Sequence, residues 1–149
     1  MTDLERQQRR AIVEEAKSWL GTPYHHEGRV KGPQGGVDCA MLIYEVFRAC
    51  GIVPETPIEP SNQQFHLNRD AEQYLAHVSQ YGIEVSSAQP GDVIVYKMGR
   101  CFSHAAIVID WPTVVHAFAK ARMVVLDNAE QPYFLKHQRK IFSAWGAPA

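Results

Sequence analysis

Three residues in this chain combine the types and the spacing that thiol chemistry needs: Cys39, His104 and His116. A thiolate is the nucleophile, an imidazole can take the thiol's proton, and a third polar group can hold that imidazole in place. Cys39 follows Asp38, a good helix N-cap, and Leu42 or Ile43, Val46 and Cys50 continue an apolar stripe behind it. The thiol is therefore expected at the first residue of a helix. There the free N–H groups and the helix dipole favour negative charge and could also hold an oxyanion. Gly35 and Gly36, just ahead of it, allow a tight backbone approach. The competing reading is an inert thiol sharing the core stripe, since free cysteines are among the most buried residue types.

The two histidines are expected to meet across a hairpin. With the turn centred on Asp110, positions 104 and 116 stand directly opposite one another and project to one face. A slip of one residue would place them on opposite faces. Each histidine alone reads as a satisfied polar residue at a strand end; only the joint arrangement is specific. His25, His26 and Asp38, together with the same three residues, offer metal-ligand types. No H-x-x-x-H or C-x-x-C spacing supports a metal, so no cofactor is expected. Cys50 lies about 16 Å from Cys39 along the helix, too far to bridge, and reads as packing. Cys101, after Gly99 and Arg100 in a hairpin loop, has no obvious partner. His66, His77 and His137 have no motif around them and read as surface or structural residues.

The elements that must position these groups follow from periodicity. Thr2 and Glu5 have capping-box spacing, and Ile12, Ala16, Trp19 and Leu20 share a helix face that Gly21 ends. Thr22 to Gly36 reads as a long exposed loop, and Arg69 to Ser79 as a third helix. Strands are expected at Val93–Tyr96, Ser103–Ile109, Thr113–Phe118, Met123–Leu126 and Ile141–Trp145. Both faces of the Ser103–Ile109 strand are largely apolar, which implies burial on both sides with helix on one. Helices first and strands afterwards give an α+β fold with an antiparallel sheet. The prolines at 54, 57 and 60 mark a surface loop inside a single domain spanning residues 1–149.

Composition narrows the partners. With 15 basic and 16 acidic residues, the charge gives no field that would attract nucleic acid or an anionic membrane. Three cysteines, an odd count, argue against a disulfide framework. The basic N-terminus has no apolar stretch behind it, so synthesis in the cytoplasm without a signal peptide is expected.

At these same residues the chain resembles the NlpC/P60 family of papain-like cysteine peptidases. Gly21-Thr22-Pro23-Tyr24 is similar to its G-x-P-Y motif and Gly36-Val37-Asp38-Cys39 to its G-x-D-C nucleophile motif. Pro90-Gly91-Asp92-Val93 resembles P-G-D-L, Ser103-His104-Ala105-Ala106-Ile107 resembles S-H-V-G-I, and Val115-His116-Ala117 resembles I-H-A. The resemblance implies a papain-like α+β fold with catalytic Cys39, a base at His104 and an orienting residue at His116. It implies that Tyr24 approaches the thiol and helps hold the oxyanion or substrate. Asp38 would support the helix start and recognise a substrate amine, and Ser103 belongs to the same substrate side. The implied substrate is bacterial cell-wall peptide, often cut beside D-glutamate and a diamino acid. The loop His26-Glu27-Gly28-Arg29-Val30-Lys31-Gly32 looks most like members encoded among bacteriophage tail genes, which implies tail proteins as partners and a virion-associated location. Two departures stand out. Ala40-Met41 replaces the usual Ser-Gly, adding bulk that could narrow the cleft or change the substrate, and Ala106 replaces a glycine. Met41 keeps a second class open, a virion assembly protein that retains the fold without catalysis. The same triad could also serve another amide, ester or acyl-transfer substrate.

Overall fold

β-branched runs dominate the second half of the chain, and they form the sheet on which everything else is mounted. A computed structural model describes residues 1–52 and 82–145. The helix expected at Arg69–Ser79, the proline-rich loop, His66 and His77 lie outside the described residues. Six antiparallel strands are ordered β3-β8-β4-β5-β6-β7. They are β3 (Ile83–Val85), β4 (Val93–Met98), β5 (Cys101–Asp110), β6 (Thr113–Phe118), β7 (Met123–Asn128) and β8 (Arg139–Ser143). Helices α1 (Asp3–Lys17) and α2 (Cys39–Ala49) precede the sheet in sequence and pack on one of its faces. The α+β class read from the sequence is therefore the observed one.

Alternation along the strands sorts their side chains into two cores. Val93, Val95, Ala105, Ile107, Val115 and Ala117 turn toward Ile12, Ala16, Leu42 and Val46 of the helices. Ile94, Tyr96, Ala106, Val108 and Val114 turn the other way, onto Ala129 and Phe134. Phe134 comes from a single turn of helix, α3 (Pro132–Leu135), which the sequence reading missed. β5 is thus buried on both faces, as its unbroken apolar run implies.

Several boundaries differ from expectation. α1 starts where expected, with Thr2 Oγ1 accepting the Glu5 N–H at 3.0 Å, but it ends at Lys17. The chain then passes through turns to Gly21, whose φ of 86° suits glycine. The expected loop at 22–36 contains a small antiparallel pair, β1 (Arg29–Val30) with β2 (Gly36–Val37). Gly35 permits it: a Cβ there would stand 2.0 Å from the Val30 carbonyl oxygen. The tight approach expected of the two glycines is made by Gly35 within this ribbon and by Gly36 against His25, whose Cβ would stand 2.5 Å from an added Cβ. β3 was also missed, being three residues at a sheet edge.

α1 is tied to the sheet by a buried cation. Arg9 donates to Asp92 Oδ1 at 2.8 Å, to the Pro90 carbonyl at 2.8 Å and to Ser143 Oγ at 3.1 Å. Its guanidinium also lies over the Trp145 ring. The Pro90-Gly91-Asp92 turn is thereby fixed from the helix side.

Candidate active site

Asp38 caps α2 as its side-chain chemistry predicts. One carboxylate oxygen accepts the Met41 N–H at 2.9 Å, and the other accepts the Glu27 N–H at 2.8 Å. The first bond sets the helix start and the second pins the preceding loop to it. The carboxylate is enclosed, with Asp38 only 3% exposed. Cys39 follows as the first helical residue, where the dipole acts on its sulfur most strongly. The thiol donates to the Ser103 carbonyl at 3.5 Å. That carbonyl belongs to the peptide immediately preceding His104. Ser103 lies where the β4–β5 register shifts, and its hydroxyl donates to the Met98 carbonyl at 3.5 Å. The helix start and the start of β5 therefore meet at the thiol.

His104 and His116 are brought together, by a different register from the expected one. Ile107 pairs with Val115 and Val108 with Val114, after which the register shifts again near the turn. Extending that pairing sets His104 opposite Phe118, so the two histidines are diagonal neighbours. A displacement by an even number keeps them on one face, which is why they still meet. Their ring nitrogens, His104 Nε2 and His116 Nδ1, are 2.7 Å apart. Around them Phe118, Phe134 and Tyr96 form an aromatic enclosure, with ring centroids 5.5, 6.5 and 6.4 Å from His104. With Nε2 engaged, Nδ1 is the nitrogen of His104 left for proton transfer.

Burial controls the charge of this pair. Enclosure, reinforced by the nearby His116 and His137, pushes the His104 pKa from 6.5 down to about 3. Burial also lowers His116, outweighing the opposing pull of Asp127. At neutral pH both imidazoles are uncharged, so each keeps a lone pair on one ring nitrogen. His137, set aside as surface or structural, is half-buried near Tyr133, and its Nε2 has no hydrogen-bond partner among the described residues.

Sequence reasoning did not find Asp127. Its Oδ2 is 2.9 Å from His116 Nε2, which extends the line of groups by one. It lies diagonal to His116 across β6 and β7, where His116 pairs with Val125 and Val114 with Asp127. An acidic residue at that offset, on the strand following the I-H-A-like motif, was the available signal.

The remaining expected residues are placed as follows. Tyr24 bridges to Val37 through its backbone, two residues ahead of the thiol, and its N–H donates to the Arg122 carbonyl. Its side chain packs on the helix-side core. Met41 is 3% exposed within that core, so the bulk expected to narrow the cleft fills the interior instead. Cys50 is half-buried at the far end of α2, packed against the same core. Cys101 opens β5 and is not in a loop. His25 and His26 are exposed, and His26 Nδ1 lies 3.9 Å from Asp38.

Comparison with known proteins places this geometry. A protein of Escherichia coli K12, murein DD-endopeptidase MepS/murein LD-carboxypeptidase, is 23% identical over 125 residues, or 84% of this chain. The chain spans 57% of that relative's length. Among solved structures, the peptidoglycan hydrolase RipB of Mycobacterium tuberculosis superposes with a TM-score of 0.67 at 18% identity, covering 97% of this chain and 68% of RipB. RipD of the same organism, described as a non-catalytic NlpC/p60 domain protein adapted to peptidoglycan binding, gives 0.60 at 16%, covering 92% of this chain and 97% of RipD. These likenesses agree with a papain-like α+β fold. The NlpC/P60 family model matches residues 21–143, from the turn before Tyr24 to the end of β8. The chain belongs to the NlpC/P60 family.

Proposed function

We propose that this protein is a cysteine peptidase that hydrolyses a peptide or amide bond in the stem peptides of bacterial peptidoglycan. The observation that carries the reading is the meeting of the α2 N-terminus with the start of β5. It sets a thiol beside the peptide of an uncharged histidine whose far nitrogen is held at 2.7 Å by a second imidazole. The names of similar proteins, peptidoglycan hydrolases and a murein endopeptidase, support the substrate class.

The steps follow from these groups. The Cys39 proton passes to His104 Nδ1 as sulfur attacks the carbonyl carbon. The Cys39 backbone N–H at the helix start, with the Tyr24 hydroxyl, holds the oxyanion. His104 then gives its proton to the leaving amine, and the C–N bond breaks to leave a thioester. Water, deprotonated by the same nitrogen, attacks the thioester and releases the acid, and the proton returns to sulfur. For Asp38 to meet a substrate amine as well, the amine must share a carboxylate oxygen with the Met41 or the Glu27 N–H.

The narrower reading is cleavage between γ-D-glutamate and a diamino acid by a domain carried on a phage tail. Its support is the motif resemblance and the phage-like loop at His26 to Gly32. Incubation with defined stem peptides, including γ-D-glutamyl ones, followed by mass spectrometry, tests both levels. One defined cleavage that Cys39→Ala abolishes is expected. Unchanged turnover in that variant would refute thiol catalysis, and binding without cleavage by the wild type would favour a RipD-like role.

A further inference from the structure

We infer that Asp127 is a positioning residue that sets the tautomers of both histidines and so decides which nitrogen of His104 is a base. A carboxylate only accepts hydrogen bonds. The 2.9 Å contact with Oδ2 therefore requires His116 Nε2 to carry a proton. His116 is uncharged, so its Nδ1 holds a lone pair. The 2.7 Å contact then requires His104 Nε2 to be the donor. An uncharged His104 that is protonated on Nε2 has its lone pair on Nδ1, the position thiol deprotonation needs. Two hydrogen bonds, read from the carboxylate inward, fix the base.

The surroundings of Asp127 give this chain a direction that a single substitution reverses. Its other oxygen, Oδ1, accepts the Asn128 N–H at 2.8 Å and also a hydrogen of Gln131 Nε2. The Asn128 donor belongs to the backbone and cannot turn round. In Asp127→Asn the amide oxygen must stay on that donor, which turns the new NH2 group toward His116 Nε2. His116 then becomes protonated on Nδ1 and donates to His104 Nε2, and the proton of His104 moves to Nδ1. The fold is unchanged and the base is blocked. Asp127→Ala imposes no such reversal, because His116 Nε2–H can turn to water in the cleft that Asp127 lines with Phe118, Lys120, Gln131 and Tyr133.

The sign of the difference between the two variants distinguishes positioning from packing. A purely structural role makes alanine, the larger truncation, the more damaging change. Tautomer control makes asparagine the worse one. Asp127→Asn is expected to lower kcat by about 100- to 10,000-fold with KM little changed, by analogy with the carboxylate-to-amide change in a serine-protease triad. Asp127→Ala is expected to retain at least roughly tenfold more activity than Asp127→Asn. Equal losses, or a greater loss in alanine, would overturn the inference.

The kinetic arm rests on the hydrolase reading; a spectroscopic arm does not. Nitrogen-15 NMR of the histidine rings is expected to show His104 protonated on Nε2 in the wild type and on Nδ1 in Asp127→Asn. A wild type already protonated on Nδ1 would overturn the inference even if neither variant folded. A protein that shows the expected tautomers but cleaves no stem peptide would leave tautomer control standing and refute only the proposed reaction.

Discussion

The uncharged state of His104 makes acid stability a measurable quantity. His104 has a pKa near 6.5 in an unfolded chain and about 3 in the folded protein. Between those values the unfolded chain binds more protons than the native state, so stability falls as the pH falls through that window. Linkage over the two pKa values gives a loss of about 3 kcal/mol between pH 7 and pH 4 from this one group. That is a large part of the roughly 5–15 kcal/mol that holds a typical domain together. His116, also lowered by burial, acts in the same direction, so wild-type data alone would not isolate His104. The informative measurement compares wild type with His104→Gln in urea melts at both pH values. The wild type is expected to lose more stability on acidification than the variant, by about 3 kcal/mol. Equal losses in the two proteins would refute the claim that burial in the aromatic enclosure keeps this imidazole neutral.

Other expectations rest on separate contacts. Arg9→Ala strands the buried Asp92 carboxylate and should cost about 3–5 kcal/mol, read as a lowered urea midpoint; a change below about 1 kcal/mol would show that the cation is not needed. Asp38→Ala removes the α2 cap and the Glu27 tie, with an expected loss of about 1–2 kcal/mol in the same assay and a slower alkylation of Cys39. Burial, with Glu15 adding to it, pushes the Cys50 thiol up, so iodoacetamide at neutral pH should label Cys39 well before Cys50. Mass spectrometry of the labelled peptides gives the order, and preferential labelling of Cys50 would contradict the proposed nucleophile. Gly35→Ala forces a Cβ into the Val30 carbonyl and should open the β1–β2 ribbon, detectable as faster amide exchange at the paired Val30 and Gly36.

What was legible in the sequence was what local chemistry decides. Asp38 ahead of Cys39, and Thr2 ahead of Glu5, announce helix starts because their side chains bond the first N–H groups directly. The β-branched runs at Val93, Thr113 and Met123 announce strands for similarly local reasons. What depended on distant partners was not legible. The hairpin register came out two residues from expectation because the turn closes at Trp111-Pro112, with Asp110 opposite Thr113, and an irregularity between Val108 and Asp110, which neither residue type signals, takes back one residue of the difference. The β1–β2 ribbon escaped because two-residue strands among glycines and prolines have no period to read. Asp127 escaped because its role exists only once β7 pairs with β6. Met41 was misplaced for a related reason: a position near a nucleophile in sequence can still face the interior of its helix.

β5 separates two cores, with the helix that carries Cys39 on one side and the imidazole pair on the other. The proposed turnover therefore works as a coincidence test, passed only when both compartments are packed at once. A state that keeps its helices and strands but loosens either compartment would show ordinary far-ultraviolet circular dichroism and no catalysis. Trimming Phe134 on the one side and Leu42 on the other should therefore converge on the same early failure, although the two side chains lie in separate compartments. The proposed activity would report on both described compartments at once.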